Sequence, residues 1–154
     1  RRVGAVSQLM CDAGLVTRKL SDVAYRLYAS AAYLGGTRRP VDFASDAFVG
    51  FDESLAGVPQ ERWLARVAPE RRVVFRCNST ASLQAAARSG VGVAVLPCFT
   101  ADGDPALLRL DGSEPVPHEL WLLVHGDLRR TPRVRAVIEW VDAAVEAARP
   151  RLCP

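Results

Sequence analysis

The side chains best placed for chemistry in this chain are short and polar. Asn78, Ser79, Thr80 and Ser82 crowd together between the apolar run Val73-VFRC and the alanine-rich Leu83-QAAAR. Such residues favour the start of a helix, because a side-chain oxygen there accepts from one of the first-turn amides. Four of them exceed what capping requires. The first turn also carries unpaired N–H groups and about half a positive charge. A small anion, and a carboxylate in particular, would complete it. The plainer alternative is that one residue caps and the others face solvent.

No second constellation competes. Gly90-Val91-Gly92 lacks the third glycine of a dinucleotide loop and precedes an apolar run rather than a helix. There is no P-loop, no G-x-S-x-G and no H-E-x-x-H. His118 and His125 lie seven residues apart on one predicted strand, so they point to opposite faces and cannot share a metal; both are expected at the surface or at a strand end. Asp52 and Glu53 are adjacent and point apart. Ser79 and Ser82 have no base near them in sequence. Cys11, Cys77, Cys98 and Cys153 show no C-x-x-C and no histidine at ligand spacing, which reads as reduced thiols, with Cys77 and Cys98 buried. Catalytic residues, metals and cofactors are therefore not expected.

Composition is that of an ordinary globular domain. The 154 residues are 49% hydrophobic and 24% charged, ordinary values for one globular domain. The net charge of +3 is small, and Lys19 is the only lysine among the cations. Arg38-Arg39, Arg71-Arg72 and Arg129-Arg130 are scattered pairs, not the stripe that tracks phosphates, so strong DNA binding by this segment is not expected. No apolar run approaches the ~20 residues of a membrane span, and the amino-terminal RRVGAVSQL does not read as a signal peptide. A cytoplasmic protein is the expectation.

The elements that must position the polar cluster alternate in type. Strands are expected over 23–29, 48–51, 73–77, 91–96, 107–110 and 118–125. Between them come a helical turn at 31–34, a short helix capped by Asp42, a helix from Ser54 to Ala68, and a helix over 82–88 closed by Gly90. The residues Thr131-Pro132 start a last helix, with a hydroxyl N-cap and proline at the first position. Its apolar members Val134, Val137, Ile138, Val141 and Val145 recur at helical spacing. This alternation predicts an α/β fold with a largely parallel sheet and right-handed crossovers. Ligands in such sheets settle at the carboxyl ends of strands, which is where Asn78–Thr80 fall.

Four blocks carry a resemblance to a known family: Leu15-VTRKLSDVAYRLYASAAYL, Phe48-VGFDES, Asn78-STASLQAAARSGVGVAVLP and Glu119-LWLLVHGDLRRTPRVRAVIEWV. Their order and spacing over residues 2–145 resemble the effector-binding domain of LysR-type transcriptional regulators; even Arg2-Val3-Gly4 looks like the end of that family's D-x-A-x-R-x-G strand. The resemblance implies the type 2 periplasmic-binding-protein fold, with two Rossmann-like subdomains joined by crossing strands. Subdomain two would be complete over 23–117, and subdomain one partial, from 1–22 and 118–154, so the chain reads as truncated at its amino end and prone to self-association.

The resemblance also implies a function. A small effector, expected to be an organic acid, would bind between the subdomains and shift a two-state hinge. Asn78, Ser79 and Thr80 match the family's polar contacts, Ser30 a contact near the end of the first crossing strand, and Phe51 a cleft-lining loop. DNA would be bound only by a winged helix-turn-helix outside this sequence, in a homo-oligomer and away from any membrane. Two alternatives share the architecture: a solute-binding protein of a transport system, and an enzyme on the same bilobal fold, for which Lys19 offers no evident site.

Overall fold

The computed structural model describes residues 14–111 and 116–154. Cys11 and the Arg2-Val3-Gly4 segment lie outside them. The strands are β1 (Leu15–Ser30), β2 (Ala47–Phe51), β3 (Arg72–Cys77), β4 (Ala94–Pro97), β5 (Leu107–Arg109) and β6 (Val116–His125). The helices are α1 (Pro59–Val67), α2 (Thr80–Arg88), α3 (Cys98–Ala101) and α4 (Pro132–Leu152). The described chain divides into two units: the residues up to Asp22 with Glu119–Leu152, and Val23–His118 with Cys153–Pro154.

In the larger unit, β2 and β3 form a parallel ladder in which Phe51 lies opposite Cys77. The Val93 amide donates to the Ala47 carbonyl at 2.8 Å, and the Val49 amide donates to the Val93 carbonyl at 2.9 Å, which brings the chain entering β4 alongside β2. The far half of β1 then runs antiparallel to both β4 and β5. A largely parallel sheet is thus only part of the architecture. Helical crossovers make strands parallel, and α1 and α2 connect only β2, β3 and the run into β4. Among the described residues no crossover helix leads into β1, and it pairs antiparallel with its neighbours.

Both faces of this sheet are covered, and the side chains show it by strict alternation. Leu27, Ala29, Phe48, Val93 and Val95 pack with Trp63 and Leu64 of α1. Their neighbours Tyr28, Val49, Ala94 and Leu96 pack with Leu83, Ala86 and Ala87 of α2. Period-two alternation between two apolar faces is what continuous hydrophobic strands achieve when helices lie on both sides.

Several local expectations change. Residues 43–45 form a turn, preceded by Asp42, whose carboxylate accepts from the amides of Ala44 and Ser45. The stretch from Ser54 to Ala68 is not one helix: a 3-10 turn at Glu53–Leu55 precedes α1, because Pro59 at the first helical positions has no N–H to continue a helix through it. The strand expected over 91–96 begins at Ala94, and α3 occupies part of the connection after Pro97. Gly90, at φ +78°, closes α2 as expected.

In the smaller unit, β6 pairs with β1, and the Gly126 amide donates to the Gly14 carbonyl at 2.8 Å. Val134, Ile138, Val141 and Val145 of α4 are half-buried, whereas Val137 and Trp140 are exposed, the latter at 71%. The Thr131 hydroxyl donates to the Leu128 carbonyl at 2.9 Å, and the Thr131 carbonyl accepts the Arg135 amide at 3.0 Å.

Candidate effector site

The carboxyl end of β3 hands the chain to α2 within two residues. Asn78 and Thr80 are exposed, and Ser79 is half-buried at the N-cap position with extended backbone. The Ser79 carbonyl accepts the Leu83 amide at 3.0 Å and the Cys77 thiol at 3.4 Å, but its hydroxyl makes no capping bond. Capping therefore does not account for the cluster. The amides at the front of α2 have no intrahelical acceptor, no acidic side chain occupies the first turn, and exposed hydroxyls stand beside them. A helix start of this kind favours negative charge.

The neighbouring strand end is tied to it directly. The Asp52 amide donates to the Cys77 carbonyl at 2.8 Å, and the Arg76 guanidinium donates to the Phe51 carbonyl at 2.9 Å. Arg76 thus reaches from β3 to the end of β2. A dent beside it is lined by Asp52, Glu53, Glu61, Arg71 and Arg76. The Asp52 carboxylate is engaged in capping the 3-10 turn, accepting the Ser54 amide at 3.0 Å.

Behind this rim sits a buried brace. Glu61 accepts the Phe51 amide at 2.9 Å with one oxygen, and its other oxygen faces Arg71 at 3.1 Å. Gly50 permits the approach, since a β-carbon there would stand 3.1 Å from the same carboxylate. The brace fixes where β2 ends and so where Phe51 and Asp52 meet Cys77.

Two of the expected contacts, Phe51 and Ser30, are placed differently from Asn78, Ser79 and Thr80. Phe51 is brought to the cluster, but its side chain is 4% exposed and packs in the core with Tyr28, Val49 and Leu83. Its amide and carbonyl are both bonded, so Phe51 forms the floor. Ser30 is not brought to the cluster. The register Tyr28↔Ala94 carries Ser30 past the amino end of β4, and its hydroxyl lies 3.4 Å from where a β-carbon on Gly90 would stand. Between Thr80 and that point runs the whole of α2, nine residues, or roughly 13 Å at 1.5 Å per residue. Ser30 instead caps the following turn, accepting the Tyr33 amide at 3.2 Å.

The cysteines and histidines also settle into defined places. Cys77, Cys98 and Cys153 are free thiols; Cys98 is buried, Cys77 half-buried and Cys153 exposed. His125 ends β6 with its Nδ1 3.7 Å from Asp127. His118 is less superficial than its strand position implies: its ring stacks on Tyr25 with centroids 4.4 Å apart, and Nε2 is 2.7 Å from Gln60 Oε1. Among the described residues, no group of three His, Cys, Asp or Glu could hold a metal, and no helix is long and apolar enough to cross a membrane.

The family model described as LysR substrate binding domain matches residues 5–146. The chain belongs to this family. Solved structures agree on the fold of this LysR substrate-binding domain. The CrgA regulatory domain, a LysR-type transcriptional regulator from Neisseria meningitidis, is 24% identical with a TM-score of 0.65; the alignment covers 87% of this chain and 71% of that one. The Synechocystis PCC6803 CcmR regulatory domain, solved in complex with 2-PG, is 14% identical with a TM-score of 0.67, over 91% and 78% of the two chains. Full-length HypT from Salmonella typhimurium, a hypochlorite-specific LysR-type transcriptional regulator, is 15% identical with a TM-score of 0.67, and the domain spans 50% of its length. No curated protein sequence matches the chain significantly.

Arg76, Glu61 and Arg71 had no signal in the sequence. Each is an ordinary arginine or glutamate until the parallel pairing of β2 and β3 sets them around one strand end.

Proposed function

We propose that this LysR substrate-binding domain senses a small organic anion held at the front of α2. Asn78, Ser79 and Thr80 supply hydroxyl and amide groups, the first-turn N–H groups supply the dipole, and Arg76 supplies a countercharge. The observation that carries the reading is the uncapped first turn: an exposed helix start, flanked by hydroxyls, whose own N-cap side chain leaves its amides unbonded. The CcmR domain, solved with 2-PG, shares the fold. Binding without turnover is the expected activity.

Membership of the family sets the solute-binding alternative aside. In the complete regulator the domain would work within a homo-oligomer in the cytoplasm, and DNA would be contacted by a separate winged helix-turn-helix. An anion with higher affinity for one arrangement of the domain shifts the population by that difference in affinity and no more.

The test is a thermal-shift series with acetate, benzoate, succinate and citrate on the wild type, Thr80→Glu and Ser30→Ala. A ligand at a hundred times its Kd stabilises by about 2.7 kcal/mol. Thr80→Glu places a carboxylate against the first turn and should abolish the response to any acid that stabilises the wild type. Ser30→Ala should keep it. An acid that stabilises Thr80→Glu as well as the wild type overturns the site.

A further inference from the structure

β1 and β6 are the strands that run from one unit into the other: β1 passes from Asp22 to Val23, and β6 from His118 to Glu119. His118 is thus the last residue of β6 within the larger unit, and Tyr25 is the third residue of β1 within it. The two rings stack, 4.4 Å apart and 29° from parallel. The same imidazole reaches a third element, with Nε2 2.7 Å from Oε1 of Gln60, a buried polar residue in the first turn of α1. One side chain therefore links both strands, where they leave the unit, to the helix whose next residue, Glu61, braces the end of β2.

We propose that His118 is a proton-sensitive latch that holds β1 and β6 to α1 at this point. In the neutral ring, Nε2–H donates to the Gln60 amide oxygen and the ring face packs on Tyr25. Taking up a proton at Nδ1 places a charge in this half-buried stack. Among the described residues, the carboxylates on the adjoining segments are committed elsewhere: Glu61 to the Phe51 amide and Arg71, Asp22 to Lys19, and Glu119 to Lys19 and the Trp121 indole. Tyr25 is neutral, its phenol pushed up by burial. Burial likewise pushes the His118 imidazole below its ordinary value, so the cation is the disfavoured form. A base whose folded pKa is depressed costs no stability above its unfolded pKa. As pH falls below that value, the open form takes up a proton that the latched form resists, and the latch loosens. The latch involves none of the residues assigned to the effector and stands whether or not that assignment does.

The chain holds two histidines, so an NMR titration resolves them, with His125→Gln assigning the signals. His118 should titrate below the ordinary imidazole midpoint, and the Gln60 side-chain amide and Tyr25 ring should shift with the same midpoint. Backbone amides of Val23–Arg26 and of the start of β6 should lose protection by up to about tenfold per pH unit below neutrality, the limit for uptake of one proton, after correction for intrinsic exchange. His118→Gln, which keeps a hydrogen-bonding partner for Gln60 but cannot titrate, should remove that pH dependence while remaining folded. A His118 midpoint at or above the ordinary value, Gln60 and Tyr25 signals that ignore it, or the same protection loss in His118→Gln each overturns the proposal.

Discussion

Glu61→Ala removes the group on which the end of β2 depends. The Glu61 side chain is 8% exposed and that of Arg71 11%, so their 3.1 Å pair is largely out of water. Arg71 also donates to the Ala68 carbonyl at 3.2 Å, which holds it in place even when Glu61 is gone. The substitution therefore strands a nearly buried cation and leaves the buried Phe51 amide without its acceptor. Breaking one side of a buried ion pair costs about 3–5 kcal/mol, and orphaning a buried amide about 1–3 kcal/mol. One carboxylate serves both partners, so the two overlap, and the expected loss is about 3–5 kcal/mol. Against the ~5–15 kcal/mol of a typical domain, that approaches the threshold of folding. Glu61→Gln keeps an acceptor for Phe51 and should lose less. Glu61→Leu combined with Arg71→Met removes both charges and should recover the part of the loss due to the stranded cation, while the Phe51 amide stays without its acceptor. Urea unfolding followed by far-UV circular dichroism measures all three. A Glu61→Ala loss under about 1 kcal/mol, the scale of an exposed pair, would refute the claim that this charge is buried and braced, as would a double variant no more stable than the single one.

Gly92→Ala should prevent folding or cost several kcal/mol, because a β-carbon there would stand 2.5 Å from the Ala47 carbonyl oxygen and 3.0 Å from its carbon, backbone atoms that cannot swing aside as a flexible side chain would; soluble expression and a melting curve test this. Asp46 governs an acid limb: burial works against its ionisation, but hydrogen bonds from Arg39, the Asp42 amide and Tyr33 together hold its carboxyl below the usual value. A depressed carboxylate stabilises the fold above its unfolded pKa of 3.8, and that contribution is lost as pH falls through the folded value. Asp46→Asn should accordingly cost about 1–3 kcal/mol at neutral pH and flatten the loss of stability in acid, seen by urea titrations repeated down to the acid range.

The placement of the candidate site was legible because its signals are local. A polar quartet between an apolar run and an alanine-rich run marks a strand end followed by a helix start, and Gly90 marks where that helix stops. These depend on neighbours in sequence, which carry propensity and capping chemistry with them. The likeness of Ser30 to a family contact says nothing about which end of the sheet it occupies; the antiparallel register of β1 against β4 places it beyond α2. Phe51 sits where the resemblance puts it, yet its side chain turns inward, since alternation along β2 assigns it to the α2 face of the core.

What the residues determine unaided is the alternation of strands and helices, two apolar faces on the central strands, and a helix start rich in hydroxyls. Those follow from side-chain period, turn chemistry and cap preference, all of which act over a few residues. What the tertiary structure alone decides is company: Arg76 with Phe51, Glu61 with Arg71, and His118 with Tyr25 and Gln60. Such pairs join positions up to 93 residues apart (Tyr25 with His118), and the register of strand pairing, which no single segment encodes, chooses among the many partners each polar side chain could accept.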